Sequence, residues 1–488
     1  MKGIPAIRVR RVSDLPADPG GEYVLYWMTA ARRGRWNFGL QRAVELAEKA
    51  GRPLVILEAL RCDYPWACDR FHSFILNGME DNREHFEGRP VLYYPWAERE
   101  RGEGKGLLQA LASRAVAVVT DDFPAFFLPR MLRAAAFKVP VRLEAVDSNG
   151  LFPMNATDRT FTAAHSFRRH LQKTLPAHLE HFPERDPLET ASLPRLESLP
   201  DEVAARWPAA SAPLLAADPE ALKTLPLDHS VGAVETRGGA DAAEEVLRRF
   251  LAGKLHVYPE ARSHPDDDAG SGLSPYLHFG HISSHQVFSE LAECEEWTPG
   301  RLSGEVTGSR EGWWGMSEGA EAFLDQLITW REIGFNMCCK REDYDRLESL
   351  PDWALHDLTS RVRDRREYVY SLPEFESAST HDPLWNAAQT QLLWEGRIHN
   401  TLRMLWGKKI LEWTASPQDA LAVMIELNNK YALDGRDPNS TSGTFWVLGR
   451  YDRPWGPIRK IYGRVRYMSS ANTLRKVRAR EYLEKYSL

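Results

Sequence analysis

The first 150 residues alternate between short apolar runs and amphipathic stretches, and this alternation limits the possible folds more than any other feature of the chain. Tyr23 to Met28 reads as a strand and Phe38 to Ala50 as a helix, with Gly51 where a left-handed cap is favoured. Strands are expected again at Pro53 to Leu60, Val91 to Tyr94, Ala115 to Thr120 and Val141 to Ala145. Between them lie helices at Phe74 to Phe86, Leu107 to Ser113 and Phe127 to Phe137. Strands joined through helices run parallel, so the expectation is an α/β, doubly wound, mostly parallel sheet. Such sheets bind ligands at the carboxyl ends of their strands, where Asp121, Asp122 and Asp147 would sit.

A chain of 488 residues is too long for one ordinary core, so two domains are expected. Pro, Ala and Glu dominate from about residue 182 to 238, which reads as an extended linker over a surface. After Gly239 helical signals prevail, with apolar faces such as Val246, Leu247, Phe250, Leu251 and Leu402, Leu405, Trp406, Ile410. The expected division is a Rossmann-like α/β domain over 1–150, a linker over 151–238 and a mostly α-helical domain over 239–488.

Several function classes are excluded at this stage. No run of about 18 apolar residues would span a membrane, and the first residues carry no apolar signal core. Five cysteines form no metal-ligand spacing and read as reduced thiols, so a cytoplasmic or nucleoid-associated protein without a bound metal is expected. Neither a phosphate-binding Gly-x-x-x-x-Gly-Lys loop nor a His-Glu-x-x-His helix is present. The net charge of −6 argues against nucleic acid, but its distribution does not. From Arg450 onward Arg453, Arg459, Lys460, Arg464, Arg466, Arg475, Lys476, Arg478 and Arg480 alternate with Trp455, Tyr462 and Tyr467. That mixture suits phosphate contact with base stacking, and equally a solvated basic tail.

Chemistry concentrates between Thr380 and Asn439. Trp406 and Trp413 are seven residues apart, so they share one face of a helix, and Trp385 belongs to the segment before it. Indoles spaced in this way serve either as core packing or as steps for an electron on its way to a buried aromatic cofactor. Arg403 and Asp434 would hold an edge carrying both donors and acceptors, or would join two helices as a buried salt bridge. Ser274 followed by Pro275 reads as a helix cap with proline at the first position, and Ser283 with Gln286 as a capping box. Free amides beside the Ser271 and Ser274 hydroxyls offer an anion site, or simply a capped helix. Glu332 is a lone acid on an apolar helix, where a solvated or paired surface carboxylate is the ordinary outcome.

Several long phrases, occurring in order, resemble the photolyase/cryptochrome family, and within it the class II cyclobutane pyrimidine dimer photolyases. They are LSPYLHFGHIS from Leu273, WRE from Trp330, THDPLWNAAQ from Thr380, GRIHNTLRMLWGKKILEW from Gly396, LNNKYALDGRDPN from Leu427 and GRVRYM from Gly463. The resemblance implies a helical FAD-binding domain and light-driven repair of pyrimidine dimers by electron transfer from reduced FAD. It places the FAD diphosphate at Tyr258, Arg262, Ser271, Leu273 and Ser274, and the flavin ring near Arg403 and Asp434. Asn428 is implied to face flavin N5, with Asn439 as the alternative. Trp406, Trp385 and Trp413 become an electron-transfer chain, with Trp406 beside the flavin, Trp385 as relay and Trp413 as the exposed end. Glu332 is implied to hydrogen-bond the dimer, and Tyr370, Met404 and Trp446 to line its pocket. Arg453, Trp455 and Arg466 are implied to fill the gap in the duplex or touch its backbone. A second antenna chromophore, a deazaflavin or a folate, has precedent in the family. The expected partner is damaged double-stranded DNA, met by a monomer with no obligate protein partner and no membrane. A cryptochrome-like photoreceptor without repair activity and a dark flavin oxidoreductase are the alternatives. The second of these would need a nicotinamide site, and no Gly-x-Gly-x-x-Gly fingerprint is present.

Overall fold

The structure, a computed structural model, describes residues 3–487. By its contacts the chain divides into two units. One comprises Met1–Thr157, Leu175–Arg248 and Gly272–Cys294; the other comprises Asp158–Thr174, Arg249–Ser271 and Glu295–Leu488.

The first unit is built on a six-stranded sheet in the order β1-β6-β5-β2-β3-β4. Its strands are β1 Val9–Arg11, β2 Tyr23–Met28, β3 Leu54–Leu60, β4 Leu92–Ala97, β5 Ala115–Asp121 and β6 Leu143–Val146. All neighbours pair in parallel except β1, which runs antiparallel to β6. Side chains alternate across a strand, so each strand feeds two cores. Tyr23, Leu25 and Trp27 of β2 enter one core, and Val24, Tyr26 and Met28 enter the other. The crossover helices are α1 Phe38–Ala50, α2 Asp69–Phe86, α3 Leu107–Ala112 and α4 Leu128–Ala136. Asn37 caps α1 by accepting from Leu40 N–H, and Gly51 ends it in the left-handed conformation, as its sequence position leads one to expect.

The stretch expected as a draped linker is part of this unit's core. Leu199, Val203 and Trp207 pack on one face of the sheet and Leu188 and Leu193 on the other. Trp207 donates its indole N–H to the Glu103 carbonyl at 2.8 Å, and Ala210 N–H reaches the Pro95 carbonyl at 2.8 Å. Gly272–Cys294 also falls with the sheet rather than with the helices that follow it. A backbone approach explains this: a Cβ at Gly280, where φ is +74°, would lie 1.8 Å from the Ala30 carbonyl oxygen. Only glycine allows this segment to seat on the loop after β2.

The aspartates at the strand ends are used by the protein itself. Asp121 accepts from Tyr26 Oη at 2.7 Å and from the backbone N–H groups of Thr29, Ala30 and Ala31 at 2.7, 2.7 and 3.0 Å. Asp122 pairs with Arg10, and Asp147 accepts from Met154 N–H at 2.7 Å.

The second unit is helical. The segments Glu318–Leu324, Asp325–Trp330 and Arg331–Lys340 run end to end, the middle one as a π-helical turn. They are followed by Pro383–Glu395, Asn400–Trp413, Pro417–Tyr431 and Pro438–Val447. Among the described residues no helix is long and apolar enough to cross a membrane.

Candidate active site

Two helices of the second unit carry the tryptophans. Pro383–Glu395 starts at Asp382, whose carboxylate accepts from Leu384 and Trp385 N–H, and stops at Gly396 in the left-handed conformation. The chain then turns into Asn400–Trp413, which packs against it. This brings Trp385 between the two indoles that share a face of the next helix. Its ring lies parallel to Trp406, at 4° with centroids 6.4 Å apart, and edge-on to Trp413 at 6.0 Å. The Trp385 indole N–H donates to the Trp406 carbonyl at 3.0 Å, and the Trp406 indole N–H to Gln389 Oε1 at 2.9 Å. Trp385 and Trp406 are thereby fixed in orientation as well as in contact.

One expectation needs correction here. Trp413 is not an exposed end: it is 3% accessible, because the segment before Pro383–Glu395 folds over it. Tyr370 is part of that cover, edge-on to Trp413 at 5.7 Å, with its N–H on the Trp413 carbonyl. Its hydroxyl meets His381 Nδ1 at 2.7 Å. The structure thus sets Tyr370, expected in the wall of a lesion pocket, at the outer end of the indole row. His381 lies 4.9 Å from Trp413 and stacks at 3.7 Å on Tyr368, which is exposed.

Arg403 and Asp434 meet as expected, with Nη2 to Oδ1 at 2.7 Å and Nη1 to Oδ2 at 3.3 Å. Arg403 Nε is buried with no hydrogen-bond partner among the described residues. Asn428 is buried, and its amide nitrogen donates to Ser440 Oγ at 3.0 Å and Asn429 Oδ1 at 3.2 Å. With the nitrogen committed, its oxygen is the face left to accept. Asn439 opens the helix Pro438–Val447, its N–H held by Asp437 at 2.8 Å. In the loop between them Arg436 donates to the Asn429 carbonyl at 2.7 Å, so its charge is structural. The donor and acceptor set of Arg403, Asp434 and Asn428 fits the edge of a flavin, which presents both kinds of group.

Thr401, two residues before Arg403, donates to the Ser263 carbonyl at 3.0 Å and anchors the turn after the short helix Tyr258–Ala261. Tyr258 is buried against Phe250 and Phe323, with the Arg262 guanidinium 5.5 Å from its ring centroid. Ser271 is half-buried in this unit. Leu273 and Ser274 belong to the sheet unit. Ser274 is the first residue of the helix Ser274–Phe279 rather than its cap, and no side chain caps that helix start. The capping box expected at Ser283 is likewise not made: Gln286 donates instead to Glu244 and Glu290.

Glu332 is 3% accessible, so it is not the solvated carboxylate that a lone acid on a helix ordinarily is. It follows the π-helical turn, a feature frequent at functional sites. Trp330, at the end of that turn, stacks on Trp446 at 4.4 Å and 16°. Its indole N–H donates to Asp325, which Arg168 holds at 2.8 Å. The two helices meet closely at Gly334, where a Cβ would stand 2.7 Å from the Pro438 carbonyl oxygen. Trp446 and Met404 are both half-buried, on helices that pack together. Asn336 is structural: it accepts from Phe161 N–H at 3.0 Å and donates to the Arg159 carbonyl at 2.9 Å.

In the basic region, Arg453 and Arg466 each lie over the Trp455 ring, at 4.8 and 5.2 Å, and both are exposed. Trp455 N–H is held by the Arg464 carbonyl at 2.8 Å. The remaining charges are not all available, since Arg464 pairs with Asp357, Arg478 with Asp267 and Arg480 with Glu484.

No protein-family model matches the chain. Curated relatives do. It is 34% identical to the deoxyribodipyrimidine photo-lyase of Methanothermobacter thermautotrophicus, over 99% of this chain and 98% of that one. The chain belongs to the deoxyribodipyrimidine photolyase family. Other photolyases agree: it is 31% identical to that of Potorous tridactylus, over 98% of this chain and 84% of that one, and 30% identical to that of Arabidopsis thaliana, over 96% and 89%. A class III photolyase from Agrobacterium tumefaciens shares the fold, with a TM-score of 0.69 and 16% identity over 97% of this chain and 88% of that one. Trp330, Gln389 and His381 were not singled out in the sequence, although WRE and THDPLWNAAQ contain all three. Their roles depend on contacts with rings that sequence spacing does not reveal.

Proposed function

We propose that this chain reverses cyclobutane pyrimidine dimers in damaged DNA under light, as a class II photolyase acting as a single chain. The observation that carries this reading is the continuous row of buried indoles, Trp406, Trp385 and Trp413, of which Trp406 and Trp413 stand on the helix that also bears Arg403. Reduced FAD, when bound, would supply the light absorption and the electron that opens the cyclobutane ring.

The protein's part is to hold, orient and exclude water. Arg403 and the Asn428 oxygen are assigned to the flavin edge, and Asp434 fixes the Arg403 guanidinium. Tyr258, Arg262 and Ser271 are assigned to the diphosphate, and Leu273 and Ser274 on the strength of their sequence phrase. Asn439 is the second choice for Asn428's role. The indole row provides oxidisable rings in near contact, and its burial keeps water out, so electrons for reduction can be relayed inward along it. Glu332, buried beyond the π-helical turn, is assigned to the dimer. Trp446 and Met404 are assigned to the pocket wall, where a flat ring suits an unstacked base. Arg453, Trp455 and Arg466 are assigned to the duplex around the extruded lesion. An antenna chromophore is assigned to the carboxyl ends of β3 and β5. Tyr64 stacks there on Phe127 at 5.5 Å and Trp66 on Phe126 at 6.0 Å, offering flat rings to a flat ligand.

The test is direct. Reduced, flavin-loaded protein is mixed with a dimer-containing duplex, and restored pyrimidines are counted in the light and in the dark. Restoration in the light alone supports the reading; no restoration in either overturns it.

A further inference from the structure

Lys408 stands in the middle of the helix Asn400–Trp413 with no solvent access at all. Its neighbour Gly407 lets that helix run close to Pro438–Val447, since a Cβ there would lie 2.5 Å from the Val447 side chain. Lys408 Nζ donates to the Val447 carbonyl, its one acceptor among the described residues. That carbonyl belongs to the last residue of the helix bearing Trp446. The adjacent end carbonyls are taken by the backbone: Phe445 accepts from Leu448 and Arg450, and Trp446 from Gly449, each at 3.0 Å. Val447 is left for the lysine, and a cation at a helix carboxyl end is favourably placed.

The arrangement is costly for what it gives the fold. Burying an amine on one carbonyl, with no carboxylate at ion-pair distance among the described residues, is unfavourable, and an apolar side chain of the same volume would usually serve stability as well or better. Burial pushes the amine down to about 7, with Asp452 opposing and Arg466 adding to that effect. What the contact does provide is a fixed end for one helix. Phe445 and Val447 are buried on either side of the half-exposed Trp446, so the direction of that end sets how its indole meets Trp330.

We propose that Lys408 is a positioning residue for lesion recognition: by holding the Val447 carbonyl it fixes the orientation of Trp446 on Trp330, and so the ring face offered to an extruded pyrimidine. The proposal rests on the reading that Trp446 walls the lesion pocket.

The experiment uses the full-length, flavin-loaded chain and Lys408→Met, which keeps the volume and removes the donor. Two stacked indoles give a coupled near-ultraviolet circular dichroism signal, defined here as the part lost in Trp446→Phe. Lys408→Met is expected to lose at least about half of that signal without DNA. It should weaken binding to a dimer-containing duplex about fivefold, the worth of one hydrogen bond, while undamaged duplex binds as before. The double variant Lys408→Met/Trp446→Ala should bind the lesion no more weakly than Trp446→Ala alone. An unchanged signal with unchanged lesion affinity overturns the proposal. So does an additive loss in the double variant, or an equal loss on damaged and undamaged DNA. If Lys408→Met does not fold, Lys408→Leu, which also removes the donor, is read in the same assays, and a full wild-type signal and lesion affinity there count against the proposal. If the wild type does not distinguish damaged DNA, the functional reading fails, and the dichroism alone still decides whether Lys408 orients Trp446.

Discussion

Asp121 in the sheet unit and Lys408 in the helical unit are both buried ionisable side chains, and they are held in opposite ways. Asp121 closes a loop and accepts from five donors. Lys408 has one carbonyl. The same contrast separates Glu58, which takes Arg32, Asn82 and Tyr93 at 3.0, 2.9 and 2.7 Å, from Arg403, whose Nε is left over. At Asp121 and Glu58 buried polar groups complete each other and stabilise the fold, whereas at Lys408 and Arg403 they are incompletely satisfied beside the helices that carry the stacked rings.

The comparison can be broken first at Asp121. Replacing it with alanine leaves three backbone N–H groups without their acceptor and the Tyr26 hydroxyl with Asn37 alone, and should cost about 3 kcal/mol or more. Urea unfolding measures this, and a loss under about 1 kcal/mol would mean that the saturation is not structural. Trp446→Ala should do the reverse. It should leave unfolding nearly unchanged and weaken lesion binding by about 1 to 3 kcal/mol, the worth of one base–ring stack. A large loss of stability would make that ring core rather than pocket.

The smallest effect concerns acid. Burial pushes the Glu395 carboxyl up, but Lys485, Tyr486 and Arg397 outweigh it and hold the group down at about 2. A depressed carboxylate stabilises the native state above its ordinary value and loses that contribution as pH falls through its folded value. The docking of Arg480–Tyr486 on Pro383–Glu395 should therefore weaken only between the ordinary carboxylate range and about pH 2. Proteolysis of the C-terminal helix across that window follows it. Loosening already near neutral pH would assign the docking to other contacts.

How much of this was legible in the sequence follows the same division. β2 and α1 were readable to the residue, because period-two and helical patterns act locally. β1 was not, since Val9–Arg11 carries two arginines and no apolar run. The role of Asp121 was hidden as well: Tyr26 is 95 positions away, and nothing local marks the pair. In the site, the seven-residue spacing announced Trp406 and Trp413, but not that Trp385 touches both or that Trp413 is covered. Lys408 sits among Trp406, Ile410 and Leu411, where one charge reads as an exception on an apolar face until its acceptor is seen.

The central claim is that the helical unit keeps its supply of electrons, the indole row, separate from its lesion pocket. Trp385→Phe tests this most directly, because that ring alone touches both of the others. Light-driven reduction of oxidised, flavin-loaded protein by a thiol is measured beside dimer repair by chemically reduced protein. The account predicts that reduction falls at least about tenfold, roughly 1.4 kcal/mol of barrier, while repair is retained. Normal reduction, or loss of both activities together in a folded variant, would contradict it.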